Sequence, residues 1–156
     1  MKFEERLSEN FTLSEFLRSP TAGRHSIDEQ WQINEEIYRN ISALVKNVLQ
    51  PARDKFQRPI SINSGYRCYR VNRLVGGSEN SDHLTGRAAD IPCYGDYTLL
   101  EILKKLDFDQ LIYYYDDRVD FLHVSYRETG NRNEILECYL EADERGVERR
   151  YFREVK

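Results

Sequence analysis

A chain of 156 residues, 40% apolar and 32% charged, can bury an ordinary hydrophobic core without disulfides or a structural metal. It fits one domain, 1–156, with the core over about 11–140 and a charged tail over 141–156. Its 23 basic and 27 acidic residues are interspersed and sum to −4, which leaves no basic footprint for nucleic acid, and no stretch is long and apolar enough to cross a membrane.

In chain order, Thr12 followed three residues later by Glu15 is a capping signature, and it predicts a short helix whose Leu13, Phe16 and Leu17 clamp onto the core. A second cap signal at Ser26–Gln30 precedes Ile37, Ile41, Leu44, Val45, Val48, Leu49, Ala52 and Phe56 at spacings of three and four. This predicts one long amphipathic helix, kinked or split near Gln50 by Pro51, with Trp31 as a packing anchor at its front. Arg58-Pro59 closes the helix, and Ile60–Ser64 alternates as a half-buried strand should. Tyr69–Val75 reads as a helical turn and 76–82 as a loop. Arg87–Ile91 reads as a strand with Ala88 and Asp90 on one face and Pro92 ending it. Tyr97–Leu106 is a helix, and Gln110–Tyr115 and Val119–Tyr126 form a hairpin around Asp116-Asp117-Arg118. Glu134–Leu140 adds a strand or short helix, and from Glu141 the charged chain is expected to fray.

Chemistry concentrates between Ser64 and Asp90. Ser81-x-His83-x-x-Gly86-x-Ala88-x-Asp90 offers an imidazole and a carboxylate separated by small residues, a donor set that suits zinc. A catalytic zinc site has three protein ligands and an open position. Of the three histidines, His123 lies in a β-branched and aromatic run that would hold it rigidly, whereas His25 lies in a polar stretch. Cys68, Cys93 and Cys138 are widely spaced, which argues for reduced thiols; a Cys68 or Cys93 thiolate ranks below the His, Asp, His set because neither belongs to a close-spaced pair. With zinc on His83, Asp90 and His123, hydrolysis needs a carboxylate to carry the proton and a cation for the oxyanion, for which Asp120 and Arg67 are the candidates. Residues three apart on an ideal strand point to opposite faces, so Asp120 joins His123 only across a bulge or turn, with Asp116 and Asp117 in reserve. Taken singly, Asp90 reads as a turn acid, Arg67 as a surface ion pair and His123 as a satisfied strand histidine; their conjunction points to a site.

These residues, with Ser64-Gly65-Tyr66-Arg67-Cys68, Asn72, Val75-Gly76-Gly77 and His123-Val124-Ser125-Tyr126, resemble the zinc peptidases of the D-alanyl-D-alanine carboxypeptidase family. That group includes phage cell-wall endopeptidases and is related in fold to hedgehog signalling domains. Phe11–Phe16 resembles the opening of phage-type and prophage-type members. The resemblance implies a small α+β domain, helices packed on an antiparallel sheet, with one Zn2+ on His83, Asp90 and His123. It implies that Arg67 binds substrate and steadies the tetrahedral intermediate, that Ser81 lines the substrate pocket, and that residue 120 is the acid/base, with Asp standing where the family often has Glu. The implied activity is a metallopeptidase on peptidoglycan stems, either a D-Ala-D-Ala carboxypeptidase or an L-Ala-D-Glu-type endopeptidase. The alternative is a zinc-containing peptidoglycan-binding or structural module without catalysis. Met1–Leu7 lacks the apolar core of a secretory signal, so the expectation is synthesis in the cytoplasm as a phage or prophage endolysin or tail enzyme. Such a protein reaches the cell wall after holin-type release or as a virion component.

Overall fold

In the computed structural model, which describes residues 2–93, 95–115 and 121–155, the Glu15 carboxylate accepts from the Thr12 N–H at 2.7 Å and starts α1, Leu13–Leu17. Five residues are too few to hold a helix in water. Leu13, Phe16 and Leu17 are at most 2% exposed and pin it to the core, where each such side chain contributes about 1.5–3 kcal/mol. α2, Pro20–His25, follows with Ser19 as its cap. A 3-10 turn over Asp28–Trp31 stands where the long helix is expected to begin. The helix α3, Glu35–Leu44, starts later because Asn34, not Ser26, caps it: its Oδ1 accepts from the Ile37 N–H at 2.9 Å. Trp31 is exposed and meets Phe3 edge to face, so it is not the core anchor expected of it; the buried neighbour is Gln30.

Pro51 leaves its mark just upstream. Val45–Leu49 winds as a π-turn, the Gln50 N–H reaching back to the Val45 carbonyl, before α4, Gln50–Phe56, resumes the α pattern. A proline ring collides with the carbonyl four residues back, and the wider turn relieves that collision without breaking the helix. Ile60–Ser64 does not become a ladder strand. Among the described residues its backbone hydrogen bonds to the sheet are Asn63 N–H to Asp90 O at 2.9 Å and Asp90 N–H to Ser64 O at 2.8 Å.

The sheet consists of β1, Ala88–Pro92, β2, Gln110–Tyr115, β3, Phe121–Ser125, β4, Glu134–Ala142, and β5, Glu148–Glu154, in the order β1-β3-β2-β4-β5. α5, Tyr69–Leu74, precedes it, and α6, Thr98–Leu103, connects β1 to β2. β2 and β3 pair antiparallel as expected; the Asp116-Asp117-Arg118 turn lies outside the described residues. The α+β class holds, with one parallel pair, β2 with β4, so the sheet is mixed. The connector after β3 returns to the start of β2, where Asn133 N–H donates to Phe108 O at 3.0 Å and Asn133 Oδ1 accepts from Phe108 N–H, and β4 therefore leaves in the direction of β2.

Alternation along the strands separates two faces. Ala89, Ile91, Leu111, Leu122 and Val124 are fully buried and join Leu44, Val48, Leu49 and Leu103 of the helices in one core. Asp90, His123, Ile112 and Tyr114 face a cleft on the other side. The charged tail does not fray. β5 pairs with β4 from Leu136↔Glu154 to Ala142↔Glu148, held by an Arg153–Glu137 ion pair and by Tyr139 and Tyr151 rings 5.8 Å apart. Cross-strand pairs of this kind hold β5 in place although all its residues remain exposed, and its charges suit a sheet edge.

Candidate active site

The β1–β3 register sets Asp90 directly opposite His123. His83 arrives from a 3-10 turn over Asp82–Thr85, capped by Ser81, whose Oγ accepts from the His83 N–H. Gly86 closes that turn at φ 73°, and a Cβ there would lie 2.9 Å from the Ile37 carbonyl oxygen, so neither the conformation nor the space admits a side chain. His83 Nε2 lies 3.2 Å and His123 Nδ1 3.0 Å from the same oxygen, Asp90 Oδ1. The His83 Nδ1–H donates to the Gly65 carbonyl at 2.6 Å, which leaves the Nε2 lone pair aimed at the group.

The spacing of the donor set matches what a zinc ion requires. Bonds of about 2.0–2.1 Å in a tetrahedron hold donors about 3.3 Å apart. The three donor atoms lie within 4.8 Å of one another, and both imidazole nitrogens already sit near that separation from Asp90. Burial alone would raise the Asp90 carboxyl; the adjacent imidazoles, His83 foremost, outweigh it and hold it well below the usual carboxylate range. Among the described residues, the group able to hold a metal ion is His83, Asp90 and His123. His25 is exposed at the end of α2, remote from it. All three cysteines are buried and unbridged, and burial pushes the Cys68 thiol up, so it is not poised as a thiolate.

Arg67 completes the group. Its Nη2 donates to Asp90 Oδ2 at 2.9 Å, its Nε to Ser64 Oγ at 2.9 Å and its Nη1 to Asn72 Oδ1 at 3.4 Å. One carboxylate oxygen thus serves the imidazoles and the other the guanidinium. The backbone around Arg67 is fixed by Gln30, fully buried, whose Nε2 donates to the Leu17 and Tyr66 carbonyls and whose Oε1 accepts from Cys68 N–H. Arg67 N–H donates to the His83 carbonyl at 3.0 Å, tying the loop to the turn that carries His83. Gln30 gave no signal in the sequence, being one polar residue among others.

These residues floor a cleft of about 640 Å³ that Ser81 also lines. Asp120 lies outside the described residues, as do its reserves Asp116 and Asp117. Sequence reasoning missed two walls. One is Arg127 and Arg132, gathered by the fully buried Asp109, with Arg132 Nη2 at 2.8 Å and Arg127 Nε at 3.1 Å. The other is Tyr114 of β2, Phe121 of β3, and Arg150 and Phe152 of β5, the alternation of the last two being the signal available.

Two imidazoles and a carboxylate in an open cleft form a donor set able to hold a metal ion. A family model described as Peptidase M15 matches residues 9–125, which include all three donors and Arg67. The chain belongs to the Peptidase M15 family and is a metallopeptidase by family. No curated protein matches it.

Proposed function

We propose that the chain is a zinc-dependent peptidase cleaving D-amino-acid-containing stems of bacterial peptidoglycan, encoded by a phage or prophage and acting on the wall after holin-type release or from a virion. The observation that carries this reading is the convergence of His83 Nε2, Asp90 Oδ1 and His123 Nδ1 in the cleft of a Peptidase M15 chain. Those three atoms would hold the ion, which would supply Lewis acidity to acidify water and polarise the scissile carbonyl. Arg67, fixed by Ser64, Asn72 and Asp90, offers guanidinium donors to the oxygen on which charge develops. Ser81 lines the peptide path beside His83. Asp120 takes the proton from water and passes it to the leaving amine. The bond cut is a terminal D-Ala-D-Ala or an L-Ala-D-Glu bond. The shorter carboxylate at 120 favours one second reading, a metal-holding peptidoglycan-binding module without turnover.

Digestion of purified peptidoglycan with and without chelator separates the two. Chelator-sensitive release of new amino or carboxyl ends is expected, and the muropeptides released identify the bond; no release leaves the binding module. Asp120→Asn is expected to keep its zinc and lose roughly a hundredfold to ten-thousandfold in rate. His83→Ala is expected to lose stoichiometric zinc, and retention would remove His83 from the site.

A further inference from the structure

The C-terminal hairpin lies beyond the span that matches the family, 9–125, yet it builds one wall of the cleft. Alternation along β5 turns Tyr151 and Arg153 to one face, where they meet Tyr139 and Glu137, and turns Arg150 and Phe152 to the cleft. In register across the sheet, Phe152 faces Cys138 and Cys138 faces Tyr114. Tyr114 stacks on Phe121 with centroids 4.2 Å apart, and Phe121 stands two residues before His123 on the same face. An aromatic strip therefore leads from the His83, Asp90 and His123 group to the edge of the sheet. The Arg150 guanidinium lies 5.7 Å over the Tyr114 ring.

We infer that this strip and Arg150 form a second subsite, which takes a carboxylate-bearing residue of an extended peptide at a distance from the bond cut. Phe152 is 54% exposed, so core packing does not account for it, whereas a ligand lying along the cleft would cover it. A guanidinium held over a ring face by its charge keeps N–H donors for a carboxylate. The other arginines of the cleft are already matched: Arg67 by Asp90, and Arg127 and Arg132 by Asp109 and Asp82. At about 640 Å³ the cleft falls within the roughly 300–1,000 Å³ of sites for drug-sized ligands, enough for a peptide longer than the two residues that flank a bond.

The inference rests on the peptidase reading for the kind of ligand, but its test does not need turnover. The probes are a D-amino-acid tetrapeptide with one free side-chain carboxylate and the same peptide with that group as a carboxamide. Each is titrated calorimetrically into the full-length, chelator-treated chain. The wild type is expected to prefer the acid by about tenfold, a charge-assisted hydrogen bond's worth. Arg150→Gln is expected to abolish the preference, and Phe152→Ala to weaken both peptides severalfold while keeping it; thermal melts of both variants check folding. Equal binding of acid and amide by the wild type, a preference that survives Arg150→Gln, or no binding of either peptide overturns the subsite. Chelator-sensitive digestion without the preference removes the subsite and keeps the peptidase. The preference without digestion does the reverse.

Discussion

At the β1–β3 end of the sheet each group facing the cleft is held by several others. Asp90 is bonded through its backbone to Asn63 and Ser64 and through its side chain to His83, His123 and Arg67. At the other edge the cleft-facing Arg150 and Phe152 stand on β5, an exposed strand paired to β4 alone. The first end is over-determined, as geometry for a metal ion requires; the second can change its side chains at little cost to the fold. The proposed reaction site and the proposed subsite thus sit on opposite halves of one surface, and substitutions at the two ends are expected to separate them.

The largest break is Asp90→Ala. It removes one donor and leaves the Arg67 guanidinium, 15% exposed, without its carboxylate. Breaking a buried pair from one side costs about 3–5 kcal/mol, so the urea midpoint is expected to fall along with stoichiometric zinc. Phe152→Ala, by contrast, is expected to keep zinc and to change stability by no more than about 0.5 kcal/mol. Equal losses from the two would erase the contrast between the ends.

A smaller and more selective break lies one layer behind the donors. A Cβ on Gly65 would sit 2.6 Å from the Phe16 carbonyl oxygen and 2.7 Å from its Cα, both backbone atoms. Gly65→Ala is therefore expected to cost about 1–3 kcal/mol as overpacking. It would also displace the carbonyl that accepts from His83 Nδ1, with roughly a 10- to 100-fold loss in zinc affinity, measured by competition with a chromophoric chelator.

Acid tests the far wall. Burial pushes the Asp109 carboxyl up, but Arg132 and Arg127 outweigh it and hold it at about 2. A depressed carboxylate contributes its full stability above the unfolded value, about 3.9, and loses it as pH falls from there through about 2. Asp109→Asn is expected to flatten that limb of a stability–pH profile and to cost roughly 1–2 kcal/mol at neutral pH, reduced by the solvent exposure of both arginines. An unchanged limb would show that the ion pairs on this wall hold nothing in place.

The contrast between the ends also explains what could be read in advance. The Thr12–Glu15 cap and the apolar period of α3 and α4 are local patterns that stand in the structure; His83, Asp90 and His123 were legible by residue type, and their donor atoms converge although His123 is distant in the chain. What was lost depends on distant partners. Ser26 and Asn34 are both good caps by residue type, but Ser26 ends α2 in the left-handed region and Gln30 between them is buried and bonded to Leu17 and Tyr66. Ile60–Ser64 alternates like a strand, but among the described residues its backbone hydrogen bonds to β1 are to Asp90. β5 reads as a fraying tail because its charges report exposure correctly; that an exposed ribbon can still be ordered is decided by β4, on the other side of a turn.

The smallest expected effect probes whether the over-determined end is complete. Ser125 stands two residues beyond His123, opposite Ala88, and its Oγ is fully buried with no hydrogen-bond partner among the described residues. A buried hydroxyl without a partner opposes folding, whereas a methyl in its place does not. Ser125→Ala is expected to raise stability by up to about 1 kcal/mol, a melting shift of roughly 2–4 °C for a chain of this size. A loss of stability instead would mean that the hydroxyl is bonded in the folded protein. The polar floor of the cleft would then extend from His123 toward Arg127 and Arg132, making the two halves of the surface less separate than their burial suggests.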